Sequence, residues 1–200
     1  MNKNIILCGV GGQGTVLASR VIAQAAMEQG LFARTAETIG MAQRGGCVVS
    51  HVRIGDTASP LIPQGCADIL IAFEPGEAVR CLPYLKDDGV VVVNKKAVQP
   101  VSGSLTGKRL DGDEMINYLK AKVKKVIVVD GDAICGQCGS PKVLNTALLG
   151  AAAGSGVFDM TPGQIKKVLL DRLPQKVHQM NINALELGEK CIETEGMTEK

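Results

Sequence analysis

Tryptophan is missing from these 200 residues, and only three phenylalanines and two tyrosines are present. Five aromatic rings are too few for the stacked platform that holds single-stranded nucleic acid. Charge of one sign is scarce too. The 22 Lys and Arg stand against 20 Asp and Glu, interspersed, for a net charge of +2. With no basic block, nucleic acid is not expected as a partner. No apolar run approaches the ~20 residues that cross a bilayer. The chain opens on a strand pattern after Lys3 rather than on a secretory leader. A cytoplasmic protein with no membrane partner is expected.

Histidine occurs twice, as His51 and His178. The seven cysteines are odd in number and irregular in spacing, which is no disulfide framework. The C-x2-C-x2-C-x3-C run of ferredoxin-type clusters does not occur. Cys135 and Cys138 form a C-x-x-C, but a zinc site needs a second ligand pair, and none follows. They read as loop cysteines, with redox or metal roles as alternatives, and no metal site is expected. A phosphate-binding loop ending in Lys-Ser/Thr is also missing, which excludes a P-loop nucleotidase.

The residues present alternate between two periods. Residues 4–8, 31–36, 46–54, 67–73, 89–94 and 124–130 read as strands, and several of them are the continuous apolar runs of strands covered on both faces. Helical spacing follows over 14–29, stopped by Gly30, and over 74–85. Asp111 with Glu114 starts another helix. The "DGD" stretches at 111–113 and 130–132 read as turn and helix-start chemistry. Ser140-Pro141 and Thr161-Pro162-Gly163-Gln164 open two more helices, and a third starts near Pro174. Strands alternating with helices specify an α/β fold: a Rossmann-like three-layer domain, its sheet mostly parallel, with helices on both faces.

Two stretches carry chemistry. The first is GVGGQG, residues 9–14, after a strand and opening a helix. Glycines there let the backbone turn tightly and approach an anion at the helix N-terminus. The same loop serves equally for a tight turn and close helix packing. A dinucleotide site also needs an acid at the end of the second strand, about 20 residues on. Glu37 falls slightly late for that, and Arg34 stands nearer. The second stretch is Arg44-Gly45-Gly46, a cation beside flexible backbone at the mouth of a strand. It suits a phosphate or carboxylate, or an acid across a subunit interface. On the strand that follows, period two puts Val52 and Ile54 on the core face and His51 and Arg53 on the other, as candidates for a polar interface. His51 reads as a hydrogen-bonded structural imidazole, and His178 as solvent-facing or at an interface. Glu74 reads either as a crevice residue or as a helix-start carboxylate.

GVGGQG, then "GMAQRGG" at 40–46, "SHVRIG" at 50–55 and "SPKVLNTALLGA" at 140–151 together resemble the gamma-type domain of the 2-oxoacid:ferredoxin oxidoreductases. The "MAQRGG" form most resembles the small (beta) subunits of the indolepyruvate branch. The resemblance covers residues 3–190 and implies one gamma-type domain over 1–200, with a C-terminal helical extension at about 160–195. It implies oxidative decarboxylation of a 2-oxoacid, with thiamine diphosphate attacking the keto carbon, CO2 leaving, electrons passing through iron–sulfur clusters to ferredoxin, and coenzyme A taking the acyl group. It places thiamine diphosphate, magnesium and the clusters in a large partner subunit, and gives this chain a role beside the active site in coenzyme A access and assembly. The expected binding residues are Gly9, Gly11, Gly12, Gln13 and Gly14 in the first loop and Arg44, Gly45 and Gly46 in the second, with no catalytic residue in this chain. The alternatives are a stand-alone NAD(P)-binding oxidoreductase, the same complex role with pyruvate or 2-oxoglutarate as substrate, or a purely structural assembly module.

Overall fold

A computed structural model describes residues 2–39, 46–99 and 111–195. Its strands are β1 Lys3–Val10, β2 Ala33–Ile39, β3 Cys47–Ile54, β4 Ala67–Ala72, β5 Leu85–Asn94 and β6 Lys125–Val129. The helices are α1 Thr15–Glu28, α2 Pro75–Cys81, α3 Gly112–Lys122, α4 Gly131–Cys138, α5 Leu144–Gly154, α6 Pro162–Arg172 and α7 His178–Glu195. All six strands form one sheet in the order β2-β3-β1-β4-β5-β6. β1, β4, β5 and β6 run parallel, and β3 runs antiparallel to both β1 and β2.

The pleat distributes the apolar runs to two cores. Ile5 and Leu7 of β1, Ile69 and Ile71 of β4 and Val92 of β5 face one side, where α1, α5, α6 and α7 cover them. Ile6, Cys8, Leu70, Ala72, Val91 and Val93 face the other, under α2 and α3. On α1, Ala18, Val21, Ile22, Ala25 and Ala26 fall at helical spacing and are buried. α5 is buried along nearly its whole length because it lies between the sheet and α7. That contact is closest at Gly150 and Gly188 and is tied by Thr146 Oγ1 donating to Asn181 Oδ1 at 2.7 Å.

Several boundaries move from where local pattern puts them. α2 ends at Cys81 and passes into one 3-10 turn over Leu82–Tyr84, because Pro83 has no N–H to continue the ladder. β5 starts at Leu85 rather than 89. Leu85 pairs with Ala67 across an irregularity in the register, so the turn-like Lys-Asp-Asp-Gly that follows is carried inside a strand. Proline at 141 opens a 3-10 turn first, and α5 proper begins at Leu144. The three helix starts read from Asp111, Asp130 and Thr161 stand: Asp111 accepts from the Asp113 and Glu114 N–H groups, Asp130 from Ala133, and Thr161 with Gln164 forms a reciprocal box.

β3 presents Val52 and Ile54 to one core, as expected, and on the opposite face His51 and Arg53 bond within the chain. His51 is 4% exposed; its Nδ1 accepts the Ile62 N–H at 3.2 Å, and its ring meets Tyr84 edge-on. Arg53 reaches Asn4 Oδ1 at 2.9 Å and the Ser59 and Leu61 carbonyls. Both side chains hold the loop after β3 against the sheet. His178 is half-buried, with Nε2 at 2.7 Å from the Leu173 carbonyl. Burial pushes the His51 imidazole below its ordinary value. The folded state therefore holds it neutral, while the unfolded chain binds a proton as pH falls through about 6.5. Stability contributed at neutral pH is lost on acidification from there toward the lowered folded value. His51→Gln is expected to flatten the thermal-melting temperature between pH 7 and pH 5 relative to the parent, and an unchanged slope would assign the acid sensitivity to other groups.

Candidate functional site

The end of β1 is built by a turn that folds onto itself. Gln13 N–H donates to the Val10 carbonyl at 3.2 Å, and the Gln13 side chain returns to accept the Val10 N–H at 2.8 Å and to reach the Phe73 carbonyl at 3.5 Å. The Phe73 N–H in turn donates to the Cys8 carbonyl at 2.8 Å. Gly9 sits inside this knot. A Cβ there would lie 2.5 Å from Gln13 Oε1 and 2.8 Å from the Phe73 Cβ, so Gly9 answers a packing demand. Gly12 and Gly14 take left-handed backbone at φ +100° and +89°. Gly12 faces open space, whereas a Cβ on Gly14 would lie 3.0 Å from Asn145 Nδ2 of α5.

The antiparallel β1–β3 ladder brings the second loop to this place. Val10 pairs with Cys47, and one step further the Gly11 N–H donates to the Gly46 carbonyl at 2.8 Å. The two stretches singled out in sequence therefore meet through Gly11 and Gly46. Arg44 and Gly45 lie outside the described residues. Gln13, expected at a ligand, has its side chain turned inward to hold the loop.

The start of α1 differs electrically from those of α2, α3, α4 and α6. Its N-cap is Gly14, with no side-chain cap and no acid in the first turn. α2, α3, α4 and α6 are each closed by a side chain, from Glu74, Asp111, Asp130 and Thr161. The first-turn N–H groups of a helix have no intrahelical partners and carry roughly half a positive charge. At α1 they stand next to the glycine turn with no carboxylate to compete, an arrangement that receives a phosphate or another anion. Glu74, by contrast, is a buried cap, accepting the Glu77 N–H at 2.6 Å.

The same end of the sheet carries an open depression of about 430 Å³ beyond β5 and β6. Among the described residues Lys95 and Lys96 line it with Asp111, Asp113, Asp130 and Asp132, a net negative set, and Lys96 already pairs with Asp132 at 2.8 Å. It suits a polyanion less well than the α1 turn. Asn94 ties the two regions, donating to the Phe73 carbonyl and accepting the Gly131 N–H, both at 3.1 Å. Cys135 and Cys138 are one turn apart on α4, in a helix rather than a loop, and burial raises both thiols.

The dinucleotide geometry does not form. The ribose-binding acid belongs on a strand beside β1, but β3 occupies that place and β2 lies one strand further out, roughly 10 Å from β1 in the sheet plane. Glu37 pairs with Arg20 of α1 at 3.7 Å, and Arg34 donates to the Thr57 carbonyl at 2.8 Å. Asn145, by contrast, reaches Gly14 from the far end of the chain, and Asn94 bonds Phe73, whose carbonyl Gln13 also reaches. Local sequence carries no sign of those contacts, because a buried amide at a loop is specified only once the sheet order is known.

Residues 4–191 match the family described as pyruvate ferredoxin/flavodoxin oxidoreductase. The chain is 39% identical over 189 residues to the indolepyruvate oxidoreductase subunit IorB of Archaeoglobus fulgidus, covering 94% of each. Its fold is similar to the gamma subunit of the keto/oxoacid ferredoxin oxidoreductase of Geobacter sulfurreducens, with TM-score 0.70 and 25% identity over 96% of this chain and 99% of that one. It also superposes on part of the 2-oxoglutarate:ferredoxin oxidoreductase of Magnetococcus marinus, a structure with 2-oxoglutarate, coenzyme A and succinyl-CoA bound. That match has TM-score 0.73 and 22% identity, and covers 96% of this chain and 31% of that one.

Proposed function

The chain belongs to the pyruvate ferredoxin/flavodoxin oxidoreductase family, and on that premise we propose that it is the small, gamma-type subunit of a 2-oxoacid:ferredoxin oxidoreductase acting on indolepyruvate. The choice of indolepyruvate follows the name carried by its 39%-identical relative. The activity belongs to the assembled complex, which converts the 2-oxoacid to CO2 and an acyl-coenzyme A and passes electrons to ferredoxin. Thiamine diphosphate with magnesium, held by a large partner subunit, supplies the decarboxylation chemistry, and that subunit's iron–sulfur clusters carry the electrons.

This chain binds and orients. The Gly9–Gly14 turn and the first turn of α1 receive a phosphate of coenzyme A, and Arg44 is the cation of the second stretch, whose Gly46 carbonyl accepts the Gly11 N–H. The observation that carries this reading is the uncapped α1 start tied by one hydrogen bond to the second loop. No side chain of this chain is assigned a proton transfer.

The test is anaerobic purification of the complex through this chain, with assay of thiamine diphosphate and iron and a panel of 2-oxoacids. A large partner carrying both, and turnover fastest with indolepyruvate, is the expected result. Faster turnover of pyruvate or 2-oxoglutarate would overturn the substrate and keep the subunit. A chain that purifies alone would overturn both. In the same complex, Arg44→Ala is expected to raise KM for coenzyme A roughly tenfold, the loss of one charge-assisted phosphate contact. Unchanged kinetics would remove Arg44 from the site.

A further inference from the structure

Three asparagines are buried among the described residues, and one of them has an end to spare. Asn94 uses both ends of its amide, on the Phe73 carbonyl and the Gly131 N–H. Asn181 uses both, on the Val177 carbonyl and Thr146 Oγ1. Asn145 is 4% exposed and bonds through its oxygen alone, which accepts the Thr146 N–H at 2.9 Å. That bond fixes which end of the amide is nitrogen. Nδ2 faces Gly14, the N-cap of α1: it lies 3.0 Å from the place of a Cβ on Gly14, nearer than Asn145 Cγ at 3.2 Å. It donates to no described residue. Thr15, the first residue of α1, repeats the pattern. It is 3% exposed and its hydroxyl bonds no described residue, whereas Ser19, one turn on, gives its hydroxyl to the Val16 carbonyl at 2.9 Å. Among the described residues, the Ser50 hydroxyl is the one unbonded side-chain polar atom sealed from solvent. The Asn145 nitrogen and the Thr15 oxygen are therefore unbonded with their tips open. Polar groups set so deep are costly to leave without a partner.

We propose that Asn145 Nδ2 and Thr15 Oγ1 donate to oxygens of a phosphate bound at the start of α1. This rests on the coenzyme A site proposed above and adds the side chains that complete it. The groups that meet there are donors. The Gly14 carbonyl accepts the Ala18 N–H at 3.0 Å, so the Thr15, Val16 and Leu17 N–H groups precede the first bond of the helix. The Asn145 amide comes from a second helix, α5. Donors converging from two helices need acceptors spread in three dimensions, as on a phosphate. The two oxygens of a carboxylate lie in one plane with their carbon and match that spread less well. Glycine at 14 then answers two demands, the left-handed backbone at φ +89° and room for the incoming amide.

The test measures Kd for coenzyme A by calorimetric titration of the assembled complex, without 2-oxoacid. Asn145→Asp keeps the acceptor for the Thr146 N–H and puts a carboxylate oxygen in place of the donor. Thr15→Val keeps the branched shape and removes the hydroxyl, and Thr15→Ser restores the hydroxyl. Kd is expected to rise roughly tenfold in Asn145→Asp and roughly fivefold in Thr15→Val, and to return to within about twofold of the parent in Thr15→Ser. Repeating the titrations with 3′-dephospho-coenzyme A assigns the phosphate. The same fold-loss with both ligands places the donors on the diphosphate, and a loss with coenzyme A alone places them on the 3′-phosphate. Unchanged Kd in Asn145→Asp and Thr15→Val, with Gly12→Asp still binding more weakly than Gly12→Asn, would overturn this inference and keep the coenzyme A site. One Kd shared by all of these variants and the parent would overturn both. The Thr15 pair decides even if Asn145→Asp fails to assemble.

Discussion

Gly188→Ala is expected to cost about 3 kcal/mol or more and to lower the melting temperature by roughly 6–12 °C, at 2–4 °C per kcal/mol for a chain of this size. A Cβ on Gly188 would lie 2.0 Å from the Ala147 carbonyl oxygen, and one on Gly150 would lie 2.1 Å from that of Leu185. These are backbone atoms and cannot rotate away. α5 and α7 must part by more than about an ångström to admit a methyl group, and close-packed interiors resist that. The separation would stretch the 2.7 Å bond from Thr146 to Asn181 and loosen Ala147, Leu148, Ala184 and Leu185, all buried in the same core.

The sign makes this test sharp. Alanine is a better helix former than glycine by about 1 kcal/mol, so a glycine with room around it should stabilise when replaced. Gly136, inside α4 with nothing near its missing Cβ, supplies that control. Gly136→Ala should raise the melting temperature, while Gly188→Ala and Gly150→Ala should lower it. A fall of less than about 2 °C at either site would mean that the helices can separate cheaply.

These glycines also mark the limit of what local sequence discloses. The continuous runs in β1, β4 and β5 and the helical spacing of α1 are legible because burial on both faces of a parallel sheet, or on one stripe of a helix, dictates them residue by residue. The helix starts at Asp111, Asp130 and Thr161 are legible because a cap is a contact over three residues. The start of β5 is not, since Lys86, Asp87, Asp88 and Gly89 have turn chemistry and lie in the strand between Leu85 and Val90, the residues on either side that pair with β4. The placement of β3 beside β1 is not legible either, and it decides the most. It moves Glu37 out of reach of the glycine turn and joins Gly11 to Gly46. The two loops were recognisable as motifs, but their contact is a property of strand order.

Replacing Gly12 by aspartate and by asparagine separates a binding turn from a structural one. Gly12 is exposed, has left-handed backbone at φ +100° and meets nothing within 4 Å of its missing Cβ. Asn and Asp tolerate that backbone best among the non-glycine residues and have nearly the same shape. Any strain is therefore shared, and the difference between the two variants reports charge alone. If a phosphate of coenzyme A sits at the start of α1, the aspartate repels it. A unit charge about 6 Å away at an effective dielectric constant near 40 costs about 1.4 kcal/mol. In the assembled complex, KM for coenzyme A should then stand roughly tenfold higher in Gly12→Asp than in Gly12→Asn, with kcat unchanged, as for loss of binding common to ground and transition states. The ratio should fall toward one in ~1 M salt, where screening reaches only about 3 Å. If the turn serves assembly alone, the two variants will share one KM at every salt concentration, and any defect will appear in how much complex forms.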